Sequence, residues 1–224
     1  MKALSPVDQV FLWLEKRQQP MHVGGLQLFS FPEDAPDDYV AQLADQLREE
    51  TIVTPPFDRR LGSRFGQPVW VEDEQLDLEH HFRFEALPTP GRIRELLSFV
   101  SAEHSHLMDR ERPMWEFHLI EGLKDRQFAV YTKVHHSLVD GVSAMRLFQR
   151  MLSDDPDERN MPPIWSLPRR SRSDDDDEGP SMWRNVAHLL GESGKQLGTV
   201  PAVTKALLNT VNRARKDPAY DSIF

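Results

Sequence analysis

The stretch Phe128-Ala129-Val130-Tyr131-Thr132-Lys133-Val134-His135-His136-Ser137-Leu138-Val139-Asp140-Gly141 decides how this chain folds. Its first eight residues are rich in aromatic and β-branched side chains, which predicts a strand over 128–135. Just beyond, Met145, Phe148 and Leu152 recur at i, i+3 and i+7, which predicts a helix over 142–152. A strand that hands over to a helix puts the linking residues at the mouth of a sheet, where ligands bind. Side chains alternate across a strand, so His136 shares a face with Phe128, Val130, Thr132 and Val134, and His135 with Ala129, Tyr131 and Lys133. The two histidines point to opposite faces, and at most one can act directly at a single site. Asp140 stands at the helix start, where Gly141 allows a tight turn or a close backbone approach.

The flanking sequence supplies partners for this strand. Ser5-Pro6-Val7-Asp8 reads as a helix start, and Val7, Val10, Phe11 and Leu14 predict one buried face. Alternation predicts strands over 21–31, 68–72, 80–86 and 115–120, the last joined to 128–135 by a turn containing Gly122. Helices are expected over 37–50 and 92–107. The order implies an α/β domain with a mixed sheet flanked by helices over 1–153. From Asp154 to Glu178 nine acids accompany four arginines, so 154–181 reads as an acidic flexible linker. Apolar residues at near-helical spacing predict amphipathic crossover helices over 182–224, interrupted by Gly191, Gly194, Gly198 and Pro201.

Composition narrows the function classes. The 224 residues are 39% hydrophobic, enough for a real core. The net charge of -9 argues against non-specific nucleic-acid binding as the main task. With no cysteine, disulfides, thiolate zinc sites and a cysteine acyl-enzyme are excluded within this chain. No stretch approaches the ~18 apolar residues of a membrane span. Met1 to Glu15 also lacks the pattern of a signal peptide, so the expected location is cytoplasmic and any membrane association peripheral.

A neutral imidazole is the natural group to take a proton from an alcohol near neutral pH, an effect of roughly 10²–10⁴-fold in rate. That points to His136 or His135, with Asp140 able to fix the loop or the tautomer. Two other readings stand beside it. A histidine at a strand end often only packs, and a His-His pair with an acid four residues on resembles a metal site. Nothing supplies a third ligand at nearby spacing, so no metal ligands are assigned. His104 and His106, and His80 and His81, fit a helix end and a strand better than metal pairs. Met21 and His22 read as core positions, and Trp115 as a packing anchor.

The motif His135-His136-Ser137-Leu138-Val139-Asp140-Gly141 resembles the HHxxxDG signature of CoA-dependent acyltransferases and condensation domains. Three further stretches narrow the resemblance to bacterial wax ester synthase/acyl-CoA:diacylglycerol acyltransferases. They are Leu4-Ser5-Pro6-Val7-Asp8 with Phe11-Leu12-Trp13-Leu14-Glu15 and Met21-His22-Val23-Gly24, Pro68-Val69-Trp70-Val71 with Leu76-Asp77-Leu78-Glu79-His80-His81, and Leu107 to Glu116 leading to Leu119-Ile120-Glu121-Gly122-Leu123.

The resemblance implies half of a chloramphenicol-acetyltransferase-like fold. It implies acyl transfer from acyl-CoA to a long-chain alcohol or a diacylglycerol, with His136 as general base and no acyl-enzyme. That agrees with the absence of Cys and of a G-x-S-x-G elbow. Ser137 is a poor nucleophile because its parity opposes that of His136. His135 and Asp140 would support the motif, Asp140 through a salt bridge, and Gly141 would start the helix. Acyl-CoA would be a substrate, so no cofactor is implied, and substrate-binding residues stay unassigned. Family members are considerably longer, with the active site in a tunnel between two halves. The chain is therefore expected to be an N-terminal portion that meets a C-terminal half, possessed by the same or a separate chain. Carrier-protein thioesters in place of acyl-CoA, or a non-catalytic lipid-surface module, are the alternatives. The basic stretch 184–216 could dock on a membrane or lipid inclusion, although helices packed on their own protein explain it more simply.

Overall fold

The computed structural model describes residues 2–139, 141–155 and 158–167. The chain divides into two compact units. Met1–Phe11 with Glu15–Arg169 form the first, which contains the site described below. The second, Leu12–Leu14 with Arg170–Phe224, lies almost wholly outside the described residues. The expected crossover helices over 182–224 fall there too. Among the described residues, no helix is long and apolar enough to cross a membrane.

In chain order the elements are β1 (Lys2–Ala3), α1 (Pro6–Leu14), β2 (His22–Ser30), α2 (Tyr39–Glu49), β3 (Arg59–Arg64), β4 (Gln67–Glu72), α3 (Leu78–His81), β5 (Phe82–Ala86), α4 (Ile93–Ser105), β6 (Trp115–Leu123), β7 (Gln127–His135) and α5 (Gly141–Met151). The main sheet runs β2-β7-β6-β5. Its β2-β7 and β6-β7 pairs are antiparallel and its β5-β6 pair parallel, which makes it mixed as expected. A smaller antiparallel sheet, β1-β4-β3, stands beside it.

Local chemistry sets several boundaries. Ser5 accepts from the Asp8 N–H while Asp8 accepts from the Ser5 N–H, a capping box with Pro6 in the first turn. Gly122 does not form the β6–β7 turn. It lies inside β6 at φ +83, where the register against β7 shifts, and the turn uses Asp125 and Arg126 at positive φ. His80 and His81, expected on a strand, belong to α3. The Asp77 carboxylate accepts from the Glu79 N–H and turns the chain, so the strand begins only at Phe82.

The sheet has two different faces. One carries Trp115, Phe117, Leu119, Phe128, Val130 and Val134, packed with residues of α2 and α5 and with Phe57 and Trp165. The other carries Ile120, Ala129 and Tyr131 against Leu96 of α4. Trp115 is the anchor its sequence context implied. It is 1% exposed, its indole N–H donates to the Phe57 carbonyl, and His81 stacks on it at 4.5 Å. The ordered domain does not stop at 153. Ile164, Trp165 and Leu167 are buried in the main core, and the Trp165 carbonyl accepts from the Thr54 N–H. The acidic composition of 154–178 hid this apolar Ile-Trp-Ser-Leu segment.

Polar groups on the α4 face are held by the end of that helix. Lys133 and Glu116 stand opposite each other on β7 and β6, 2.8 Å apart. The fully buried Lys133 ammonium also donates to the carbonyls of Glu103 and His106, capping the negative end of α4. His22 Nε2 lies 2.6 Å from the His104 carbonyl, and His104 Nδ1 lies 2.7 Å from the Tyr131 hydroxyl. Burial pushes both His22 and His81 from the ordinary imidazole value of 6.5 down to about 4.

Two outcomes follow from this packing. Trp165→Ala is expected to cost about 3–5 kcal/mol and to lower the melting temperature by roughly 10 °C. A change near zero in calorimetry would place Trp165 in a solvated linker after all. The second concerns acid. His22 and His81 stay neutral in the folded chain down to about pH 4, whereas the unfolded chain takes up protons near pH 6.5. The unfolded state binds more protons between these values, so stability falls as pH drops from 6.5 to 4. Denaturant midpoints that stay flat across that window would contradict the burial of these rings.

Candidate active site

β7 ends at His135, and the chain leaves it through a tight turn. The His135 carbonyl accepts from the N–H groups of Leu138 at 2.9 Å and Val139 at 3.3 Å. The His136 N–H donates to the Met21 carbonyl at 2.9 Å, extending by one residue the β2–β7 pairing in which His22 faces His135. Backbone pairing therefore fixes both histidines before their side chains are considered.

The two rings have different surroundings, as their parity implied. His135 is 0% exposed. Its Nδ1 accepts from the Ser137 N–H at 3.1 Å and lies 2.7 Å from Ser137 Oγ. With the Nδ1 lone pair engaged, the hydrogen-bond pattern assigns the ring proton to Nε2. That nitrogen faces Glu15 Oε1 at 3.3 Å, close but off the ideal line of a hydrogen bond. Ser137 is buried and committed to His135, which fits its dismissal as a nucleophile.

Glu15 was not singled out in the sequence, and it is the carboxylate that reaches the motif. It caps the C-terminal end of α1, with its side chain 2% exposed. Its Oε1 accepts from the Met21 N–H at 3.2 Å and its Oε2 from the Arg110 guanidinium at 3.0 Å. Burial alone would raise its pKa. The contact with His135, with the donors of Met21 and Arg110, outweighs burial and brings the carboxyl down to about 2. The sequence did contain a signal. Phe11 and Glu15 are four residues apart on one helix and share a side of it, so a carboxylate prolongs an otherwise apolar stripe.

His136 is only partly buried. The Phe11 ring lies against its imidazole, with centroids 4.8 Å apart and planes 13° from parallel. Stacking fixes the plane of the ring. Of the two motif histidines, His136 is the one that is not fully buried. α5 begins at Gly141, as expected, and Asp140 lies outside the described residues.

Other polar clusters do not join this site. His104 ends α4 and His106 caps it. Glu103, Glu116 and His118 come close enough to one another to hold a cation, but the Lys133 ammonium already lies 2.8 Å from Glu116 and donates to the Glu103 carbonyl. The hydrogen-bonded contacts of Glu116 with His118 and Lys133 outweigh its burial and hold it down at about 2. A cavity of about 530 Å³ lies at the other end of the β2–β7 pair, between Phe29, Phe128, α2 and residues 158–163, and contains none of the motif.

Comparison with known proteins gives a consistent picture. Residues 4–224 match the model of the wax ester synthase/diacylglycerol acyltransferase catalytic domain. The O-acyltransferase WSD of Acinetobacter baylyi is 44% identical over 228 residues, covering 100% of this chain and 48% of the relative. A probable diacylglycerol O-acyltransferase of Mycobacterium tuberculosis, tgs2, is 41% identical over 92% of this chain and 45% of its own length. The solved wax ester synthase/diacylglycerol acyltransferase of Marinobacter aquaeolei VT8 is 71% identical, with a TM-score of 0.74 over 97% of this chain and 47% of that one. The chain thus spans about half the length of the relatives it matches. The HHxxxDG turn, the mixed sheet and the match over nearly every residue agree: the chain belongs to the wax ester synthase/diacylglycerol acyltransferase catalytic-domain family.

Proposed function

We propose that this chain carries the proton-transfer half of an O-acyltransferase site, which moves a fatty acyl group from acyl-CoA to a long-chain alcohol or a diacylglycerol. The observation that carries the reading is the asymmetry of the motif. His135 is locked between Ser137 and Glu15 and fully buried, while His136 presents a stacked, partly exposed ring.

In this reading an unprotonated nitrogen of His136 accepts the proton of the acceptor hydroxyl. The alkoxide oxygen attacks the thioester carbonyl carbon, and the carbonyl electron pair moves onto oxygen. Collapse of the tetrahedral intermediate breaks the C–S bond, and the CoA thiolate leaves with the proton held by His136. The products are an ester and free CoA, and the imidazole returns to its starting state. No acyl-enzyme is needed, in keeping with the absence of Cys and the commitment of Ser137 to His135. The relatives extend well beyond the matched region, and the reading includes a second half that completes the walls of the site. It also includes peripheral contact with a lipid surface, because both acceptors are water-insoluble.

The test uses the full-length protein with acyl-CoA and hexadecanol, following thiol release. Release is expected to depend on the alcohol. His136→Ala is expected to lower kcat by at least about 10²-fold with the fold intact by circular dichroism. Near-normal turnover in that variant, or a requirement for a pantetheinylated carrier protein, would overturn the reading.

A further inference from the structure

We infer that Phe11 and Glu15, one turn apart on α1, form a two-point clamp that positions the imidazole of His136, Phe11 by stacking on the ring and Glu15 by anchoring the backbone that carries it. The inference rests on the reading of His136 as general base and adds two positioning residues to it.

Three observations converge. Phe11 and Glu15 are separated by i,i+4, so they leave the same side of the helix, and the Glu15 N–H donates to the Phe11 carbonyl at 3.1 Å. One of them then touches each motif histidine. Phe11 lies flat on His136, and Glu15 faces His135 at 3.3 Å. Met21 closes the arrangement from the other side. Its N–H donates to Glu15 and its carbonyl accepts from the His136 N–H, so one residue links the carboxylate to the backbone of the reacting histidine.

The choice of residues is hard to explain by packing alone. Phe11 is only partly buried, so its ring is not simply filling the core. Glu15 is a nearly fully buried carboxylate, which is costly unless its charge is needed. The groups facing it are His135 and His22 from the sheet and Arg110 from the segment before β6. Arg110 balances its charge and leaves Oε1 for Met21 and His135. A rotatable imidazole explores several orientations. One held flat against an aromatic face, on a backbone pinned at both neighbours, explores few, and misplacement by an ångström can cost 10²-fold in rate.

The experiment compares Phe11→Leu, Phe11→Tyr, Glu15→Gln and the Phe11→Leu/Glu15→Gln double variant in the full-length protein, with kcat and KM for acyl-CoA measured separately. Leu keeps most of the apolar volume but not the flat face, and Tyr keeps the face. Phe11→Leu is expected to lower kcat by roughly 10-fold with KM within twofold, and Phe11→Tyr to recover most of the rate. Glu15→Gln is expected to lower kcat similarly. Because both residues act through one ring, the double variant should fall no more than about threefold below the worse single variant.

Several results would overturn the clamp. They are Leu at wild-type kcat, Tyr as slow as Leu, losses confined to KM, or losses that multiply in the double variant. Should Glu15→Gln fail to fold, the two Phe11 variants decide by themselves, since that ring is partly exposed. An active His136→Ala protein instead removes the general-base reading, whatever the Phe11 and Glu15 variants do.

Discussion

The buried contact between Glu15 and His135 is the constraint on which the rest of the site depends. Taking a carboxylate out of water costs several kcal/mol, and the cost is offset only where donors converge on it. Here two hydrogen bonds reach it, from the Met21 N–H and the Arg110 guanidinium, and the His135 ring lies beside it with Nε2 at 3.3 Å. Each comes from a different part of the chain, so the carboxylate fixes the end of α1, the start of β2, the segment before β6 and the end of β7 relative to one another. Ser137 closes the other side of the same imidazole. The ring is held by hydrogen bonds at Nδ1 and faces the carboxylate with Nε2.

The different surroundings of the adjacent histidines are a consequence of strand alternation. On β7 the odd positions Tyr131, Lys133 and His135 enter a polar layer under the end of α4, where buried groups find the helix's last carbonyls. The even positions Phe128, Val130 and Val134 enter the apolar core shared with α2 and α5. His136 ends the even row just where the strand stops and the turn begins. A strand thus delivers one histidine into structure and the next to the surface without any special backbone geometry between them.

Much of this was legible in the sequence because the signals were periodic. The β7-to-α5 junction, the opposed histidines, the parity of Ser137 away from His136 and the anchoring Trp115 all followed from alternation and residue type. The misses have physical reasons. Arg-Arg-Leu-Gly-Ser-Arg of β3 lacks apolar alternation, since that strand sits in a small, half-exposed sheet. His80 and His81 alternate with Phe82 and Phe84 as a strand would, yet the cap on Asp77 bends the chain into α3 first. Trp165 was obscured by the acidic composition on either side of it in the sequence. Glu15 was hardest to foresee. Apart from Met21, its partners lie 95 residues away at Arg110 and farther at His135, so the only local trace was a carboxylate prolonging the apolar stripe of α1.

The most direct measurement is a crystal structure of the full-length protein with a long-chain alcohol bound beside a non-hydrolysable acyl-CoA analogue. The account predicts the alcohol oxygen within hydrogen-bond reach, about 2.6–3.2 Å, of a His136 ring nitrogen, with His135 still facing Glu15 and Ser137. An alcohol seated on His135, or one distant from both imidazoles with the His136 edge closed off by protein, would contradict it.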